Sequence, residues 1–241
     1  MKLLNRCASI LIVLIAITNT CPQGVLINLN SQFVESSLVV DKIIKEKNDY
    51  LTIDVKIPQI NGLNNKESEK VINNKILDFT NMWISDVKQI AQEYYGSPNN
   101  VYPIFPYQLI AKYTIKSQNK ILSFYIDYYQ FTGGAHGITN RVSYNIDINT
   151  GRELLLNDLF VDEYEYEKVI NNEIKKQIAK NPDIYFTGKD GFNGINKNQK
   201  YFIDRDNLVV YFGLYEIAPY VTGIPEFKIP IKLFGESFKY I

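Results

Sequence analysis

Histidine and cysteine are nearly absent from this chain of 241 residues, and their scarcity excludes more than any motif supplies. There is one histidine, His136, and there are two cysteines. Cys7 and Cys21 both lie in or beside an N-terminal apolar segment, so the part expected to fold carries no thiol. That removes disulfides, thiolate metal sites and cysteine nucleophiles together. A zinc site draws several ligands from His, Cys and carboxylates, and one imidazole is too few. A Ser-His-Asp triad would have to use His136, yet no Gly-x-Ser-x-Gly elbow occurs, nor a P-loop or dinucleotide fingerprint. No metal, cofactor or catalytic set is expected.

An excess of charge of either sign is also lacking. Lys+Arg and Asp+Glu both total 26. Nucleic acid is therefore not an expected partner, because counterion release needs a basic face. Long apolar runs are missing as well. The run CASILIVLIAI, from Cys7 to Ile17, is short of the roughly 20 apolar residues that span a bilayer. Lys2 and Arg6 precede it, the pattern of a secretory signal. Residues 1–24 are expected to be a signal peptide or an N-terminal anchor, the only route to a membrane. Cys21 raises the alternative of a lipid anchor, although Thr18, Asn19 and Thr20 fit that signal poorly. The expected location is extracellular or at the cell surface. Export without disulfides, with abundant Asn, Ile, Lys and Tyr, fits a Gram-positive envelope.

What is plentiful is tyrosine, 18 in all. Its apolar face and polar tip suit half-buried strands and exposed recognition surfaces alike. Strand patterns are correspondingly frequent. After a polar linker (25–36), Leu51, Ile53, Val55 and Ile57 alternate with polar residues, and Pro58 and Asn61-Gly62 are expected to stop that strand. Ile72, Ile76, Phe79, Trp83, Val87, Ile90 and Tyr94 then recur at helical steps, with Gly96 and Pro98 ending the helix. Trp83, on that stripe, reads as core. Alternating segments at 107–116, 120–131 and 139–148 predict an antiparallel meander. A second helix is expected from an N-cap at Asp162, with Tyr166, Ile170, Ile174 and Ile178 on one face. Residues 183–200 read as an exposed loop, and strands return at 201–203, 208–215 and 226–232. The fold class is α+β: two small units, 36–149 and 150–235, each an antiparallel sheet with a helix packed on one face.

Two segments remain as candidate sites. The GGAHG stretch holds Gly133, Gly134, His136 and Gly137. It serves either as a strand-to-strand turn with a locally bonded histidine or as a shaped surface for a ligand. It is also expected to act as the hinge between the two units. The second segment, LYEIAPYVTGIPEF, supplies Tyr215, Glu216 and Tyr220 to the same expected binding surface. Glu216 and Glu226 would form a glycosidase-like pair only if the fold set them at a defined separation across a cleft, which a spacing of ten residues does not show.

FTGGAHGITNRVSYNIDINTGRELLLNDLF followed by NLVVYFGLYEIAPYVTGIPEFKIP resembles the two halves of the extracellular region of RsiV-type anti-sigma factors. The same region is similar to the N-terminal part of PdaC-type peptidoglycan deacetylases. The resemblance runs from about Leu38 to Phe234. Only six residues precede the apolar run, so a sigma-binding segment is expected to be missing. The chain ends soon after the KIP strand, so a deacetylase domain is expected to be missing too. The resemblance implies a non-catalytic, sensor-like module of the envelope, with lysozyme, another wall-active protein or peptidoglycan as partner. The alternatives are a cell-wall glycan hydrolase using Glu216 and Glu226, and a structural envelope or spore protein.

Overall fold

The computed structural model describes residues 38–97 and 105–240. The expected signal segment, Cys7, Cys21, the linker and Pro98 lie outside the described residues. The described residues cluster as one compact unit. The fold is α+β, with one sheet of five strands and one of three.

The first sheet runs β1 (Val39–Lys47), β2 (Leu51–Ile60), β3 (Tyr107–Gln118), β4 (Ile121–Phe131) and β5 (Ile138–Asp147), in that spatial order. Between β2 and β3 the chain makes α1 (Lys66–Tyr95). Its start is set locally: the Asn65 side chain accepts the Ser68 N–H at 3.0 Å, and Glu69 reaches back to the Gly62 and Leu63 N–H groups. Because a long helix carries the chain back across the sheet, β3 pairs with β2 in parallel. This corrects the expectation of a purely antiparallel first sheet. The β3–β5 meander is antiparallel, as its alternation predicts.

Pro58 does not end β2. Asn61 N–H bonds the Leu38 carbonyl on the β1 side, whereas Ile60 N–H turns the other way, to Asn73 of α1. Pro58 shares the Ile60 side, and β3 has already left β2 after Val55, so the missing N–H interrupts no ladder. Asn73 both accepts from Ile60 N–H and donates to its carbonyl, each at 2.8 Å, closing the end of the strand.

One face of the first sheet packs on α1 through Ile72, Ile76, Thr80, Ile84, Val87 and Ala91. The expected stripe is right at its start and drifts at its end. Ile90 and Tyr94 are exposed, while Ala91 is buried, because a straight helix of 3.6 residues per turn brings 84, 87 and 91 to the sheet. Trp83 is half-buried: its ring packs edge-on against Tyr128 and its Nε1–H donates to Gln130.

The second sheet is β6 (Tyr201–Asp204), β7 (Asn207–Tyr211) and β8 (Glu226–Pro230), all antiparallel. One face takes Ile170 and Ile174 of α2 (Tyr166–Ile178) into a core with Leu208, Val210, Phe227 and Ile229. The other face carries Phe202, Val209 and Tyr211, packed against Tyr125 on the back of the first sheet. Asp162 is not the helix cap; the chain first turns at Glu163, which has positive φ, and α2 opens after Glu165. The 183–200 segment is only partly exposed, since Phe192 and Ile195 pack on the second core. Tyr215 lies beyond β7 in a turn, not in a strand.

Candidate binding face at the GGAHG loop

GGAHG joins β4 to β5 within the first sheet, so it is not a hinge between the two sheets in the order of the chain. It does touch the second half through side chains. Gly133 and Gly134 adopt φ of +92° and +91°, which a Cβ would strain. Gly137 is needed for a different reason: a Cβ there would stand 2.4 Å from the Tyr129 ring. The turn thus brings the backbone hard against an aromatic side chain and leaves His136 outside.

His136 lies flat on Tyr220, with ring centroids 4.0 Å apart and planes at 18°. Both rings are anchored to the same acceptor. Tyr220 OH donates to the Gly137 carbonyl at 2.9 Å, and His136 Nδ1 lies 3.0 Å from that oxygen. Tyr215 extends the row, its centroid 5.8 Å from Tyr220. It is half exposed and held at φ +63°.

The β7–β8 connection that carries Tyr215 and Tyr220 is tied down along its length. Glu216 accepts the Gly213 N–H at 2.6 Å and lies 3.8 Å from Lys200 Nζ. Phe186 N–H bonds the Ile217 carbonyl, and the Thr222 hydroxyl donates to the Ile184 carbonyl. At the tip stands Val221, 90% exposed.

Beneath the tip is an open cleft of about 670 Å³, lined by Asp127, Thr139, Arg141, Tyr220, Val221 and Glu226. Arg141 organises it. Its Nε and Nη2 donate to the two oxygens of Asp127, its cross-strand partner, at 2.6 and 2.8 Å. Nη1 donates to Glu226, and the guanidinium lies 3.7 Å from the Tyr125 ring centroid. Burial works against the Arg141 charge, but hydrogen bonds and charge from Asp127, then Glu226, outweigh it and raise its pKa further. Two carboxylates around one guanidinium leave the cleft with a negative excess.

Of the residues singled out in the sequence, His136, Gly137, Tyr215 and Tyr220 come together. Gly133 and Gly134 shape the turn behind them. Glu216 and Glu226 have separate partners: the first accepts a backbone N–H from Gly213 and the second accepts from Arg141. Arg141, Asp127 and Val221 were not selected from sequence. The polar alternation of β4 and β5 contains Asp127 and Arg141, but only the strand register makes them partners. Among the described residues, no group of three or more His, Cys, Asp and Glu is placed to hold a metal ion, and no helix is long and apolar enough to cross a membrane.

This architecture has relatives. The model of the deacetylase PdaC family matches residues 44–139, and that of a family of unknown function, DUF3298, matches residues 157–232. The chain belongs to the family of RsiV-type proteins. It is 30% identical to the anti-sigma-V factor RsiV of Bacillus subtilis, over 85% of this chain and 75% of that protein. It is 23% identical to the peptidoglycan-N-acetylmuramic acid deacetylase PdaC of the same organism, over 64% of this chain but only 32% of that enzyme. Two crystal structures of DUF3298-family proteins share the fold. One, from Bacteroides fragilis, has a TM-score of 0.59 at 16% identity and covers 83% of this chain and 92% of its own. The other, from Pseudomonas aeruginosa, has a TM-score of 0.56 at 16% identity, with 83% and 93% covered.

Proposed function

We propose that this protein is an exported, non-catalytic and sensor-like binding module of the cell envelope. It recognises lysozyme, another wall-active protein or peptidoglycan through the face built from His136, Tyr215 and Tyr220. The observation that carries this reading is the row of three rings beside the exposed Val221, on a loop fixed at both ends. Rigid aromatic groups lose little conformational freedom on binding, so such a face is pre-organised for a partner. The carboxylates nearby are engaged in structural bonds, which supports binding over hydrolysis. Division into units 36–149 and 150–235 is part of the proposal, with one family match falling inside each.

The test is retention of the full chain on immobilised lysozyme and on purified peptidoglycan. Retention on one of them is expected, lost in Tyr220→Ala and in Val221→Glu. No retention on either ligand, or undiminished retention of both variants, would overturn the proposal. Release of muropeptides from walls, abolished by Glu216→Gln, would point to the hydrolase instead.

A further inference from the structure

Three of the four sheet edges are bonded in part from within the chain. The β5 edge takes the following segment, with Asp147 N–H on the Arg152 carbonyl and Leu154 N–H on the Asn145 carbonyl. At β6 the Ile203 N–H and the Tyr201 carbonyl are bonded by Ser123 and Asn145. On β8, Gln177 donates to the Lys228 carbonyl. β1 pairs with β2 alone, and from Val40 to Lys47 no hydrogen bond of the described residues covers its outer side.

Alternation fixes which groups point outward. The Leu38 carbonyl bonds Asn61 on the β2 side, so even-numbered residues face β2. Asp41, Ile43, Lys45 and Lys47 therefore turn their N–H and C=O groups away from β2, and none of the described residues bonds them. Ile43 is 58% exposed on this strand. An edge of this length that none of the described residues covers is a template for another strand, and lysines are a usual device against pairing. Here the lysines are matched in one arrangement. With β1 laid antiparallel on a second β1 so that Ile44 faces Ile44, Asp41 falls opposite Lys47 and Lys42 opposite Glu46. Ile43 then lies along the Lys45 stem.

Other registers lose this match. Centring on Ile43 leaves Lys42 and Glu46 opposite apolar residues, while centring on Lys42 or Lys45 sets two lysines face to face. Lys45, Glu46 and Asp41 already have partners in Asp54, Lys88 and Lys56. Lys42 and Lys47 have no carboxylate partner among the described residues, and the two-fold arrangement supplies one to each.

We infer that the β1 edge takes a second copy of this chain, antiparallel and about a two-fold axis at Ile44, joining two five-stranded sheets into one. The inference uses a different surface from the His136–Tyr220 face and stands independently of the proposed function.

Cysteine cross-linking of the full chain in a Cys7→Ser/Cys21→Ser background tests it. In a non-hydrogen-bonded pair the Cα atoms lie about 4.5 Å apart, within disulfide reach, so Ile44→Cys is expected to give a covalent dimer on mild oxidation. Lys42→Cys is not, because its counterpart is about 13 Å away, four residues along the strand. Light scattering of the full chain is expected to show a dimer weakened about tenfold by Lys42→Glu and restored by Lys42→Glu/Glu46→Lys. A monomer throughout, as expected if the edge takes an extended peptide from another protein, overturns the inference. Equal cross-linking at 42 and 44, or a double variant as weak as the single, overturns the register.

Discussion

Ser123 and Asn145 stand directly opposite one another on β4 and β5, and together they complete the open edge of β6. Ser123 Oγ donates to Asn145 Oδ1 at 2.7 Å and accepts the Ile203 N–H at 2.8 Å; Asn145 Nδ2 donates to the Tyr201 carbonyl at 2.9 Å. Both side chains are buried. One cross-strand pair thus joins the two sheets and satisfies backbone groups that would otherwise be stranded.

Ser123→Ala removes the acceptor of a buried N–H and a partner of Asn145 at once. An unmet buried donor costs about 1–3 kcal/mol. The urea midpoint is expected to fall accordingly; an unchanged midpoint would mean that water reaches the β6 edge.

Gly137→Ala drives a Cβ into the Tyr129 ring. Because the obstacle is the far end of a side chain, the ring can yield. Melting of Gly137→Ala is expected a few degrees below the parent, by roughly 1 kcal/mol. In Gly137→Ala/Tyr129→Ala the two effects should combine to less than their sum. Additivity within error would show that the two residues do not meet.

Arg141→Lys keeps the charge but loses the two-pronged bond to Asp127 and the flat contact with Tyr125. A cost of about 1–3 kcal/mol is expected in chemical denaturation, although the substitution is nominally conservative. Retention of full stability would reduce the network to surface charge pairing.

Alkaline pH should destabilise the protein selectively. Burial pushes Tyr113, Tyr128, Tyr166 and Tyr211 up to about 12. The folded state therefore keeps these protons where the unfolded chain, with tyrosine pKa near 10, has begun to release them. The stability these four phenols contribute is present in full below about pH 10 and is lost as pH rises towards 12. Urea midpoints that stay level across that window would contradict the burial of these phenols.

Local periodicity made much of this legible. The β3–β5 meander and most of α1 follow from alternation at two and 3.6 residues, which needs no knowledge of partners. The parallel joining of β2 to β3 was not legible, because it depends on where a long helix returns the chain. Pro58 misled for a related reason, since its cost depends on which neighbour its nitrogen faces. Of the candidate face, His136, Tyr215 and Tyr220 stood out as residue types in unusual segments. The Arg141–Asp127–Glu226 group did not, since it exists only once β4, β5 and β8 are in register. Ser123 and Asn145 are ordinary polar residues in sequence and acquire their role from the stacking of two sheets.

Parallel pairing of β2 with β3 also bears on how the molecule forms. Leu51 and Tyr107 are ladder partners, with the whole of α1 between them. The β1–β2 hairpin closes through near neighbours, whereas β2–β3 contact must wait until the helix has bridged the gap. Until then β2 presents a second open edge and Ile53 and Val55 lie uncovered. The docking of α1 with β3 is therefore the step expected to be slowest and most exposed to aggregation, with the hairpins on either side forming ahead of it.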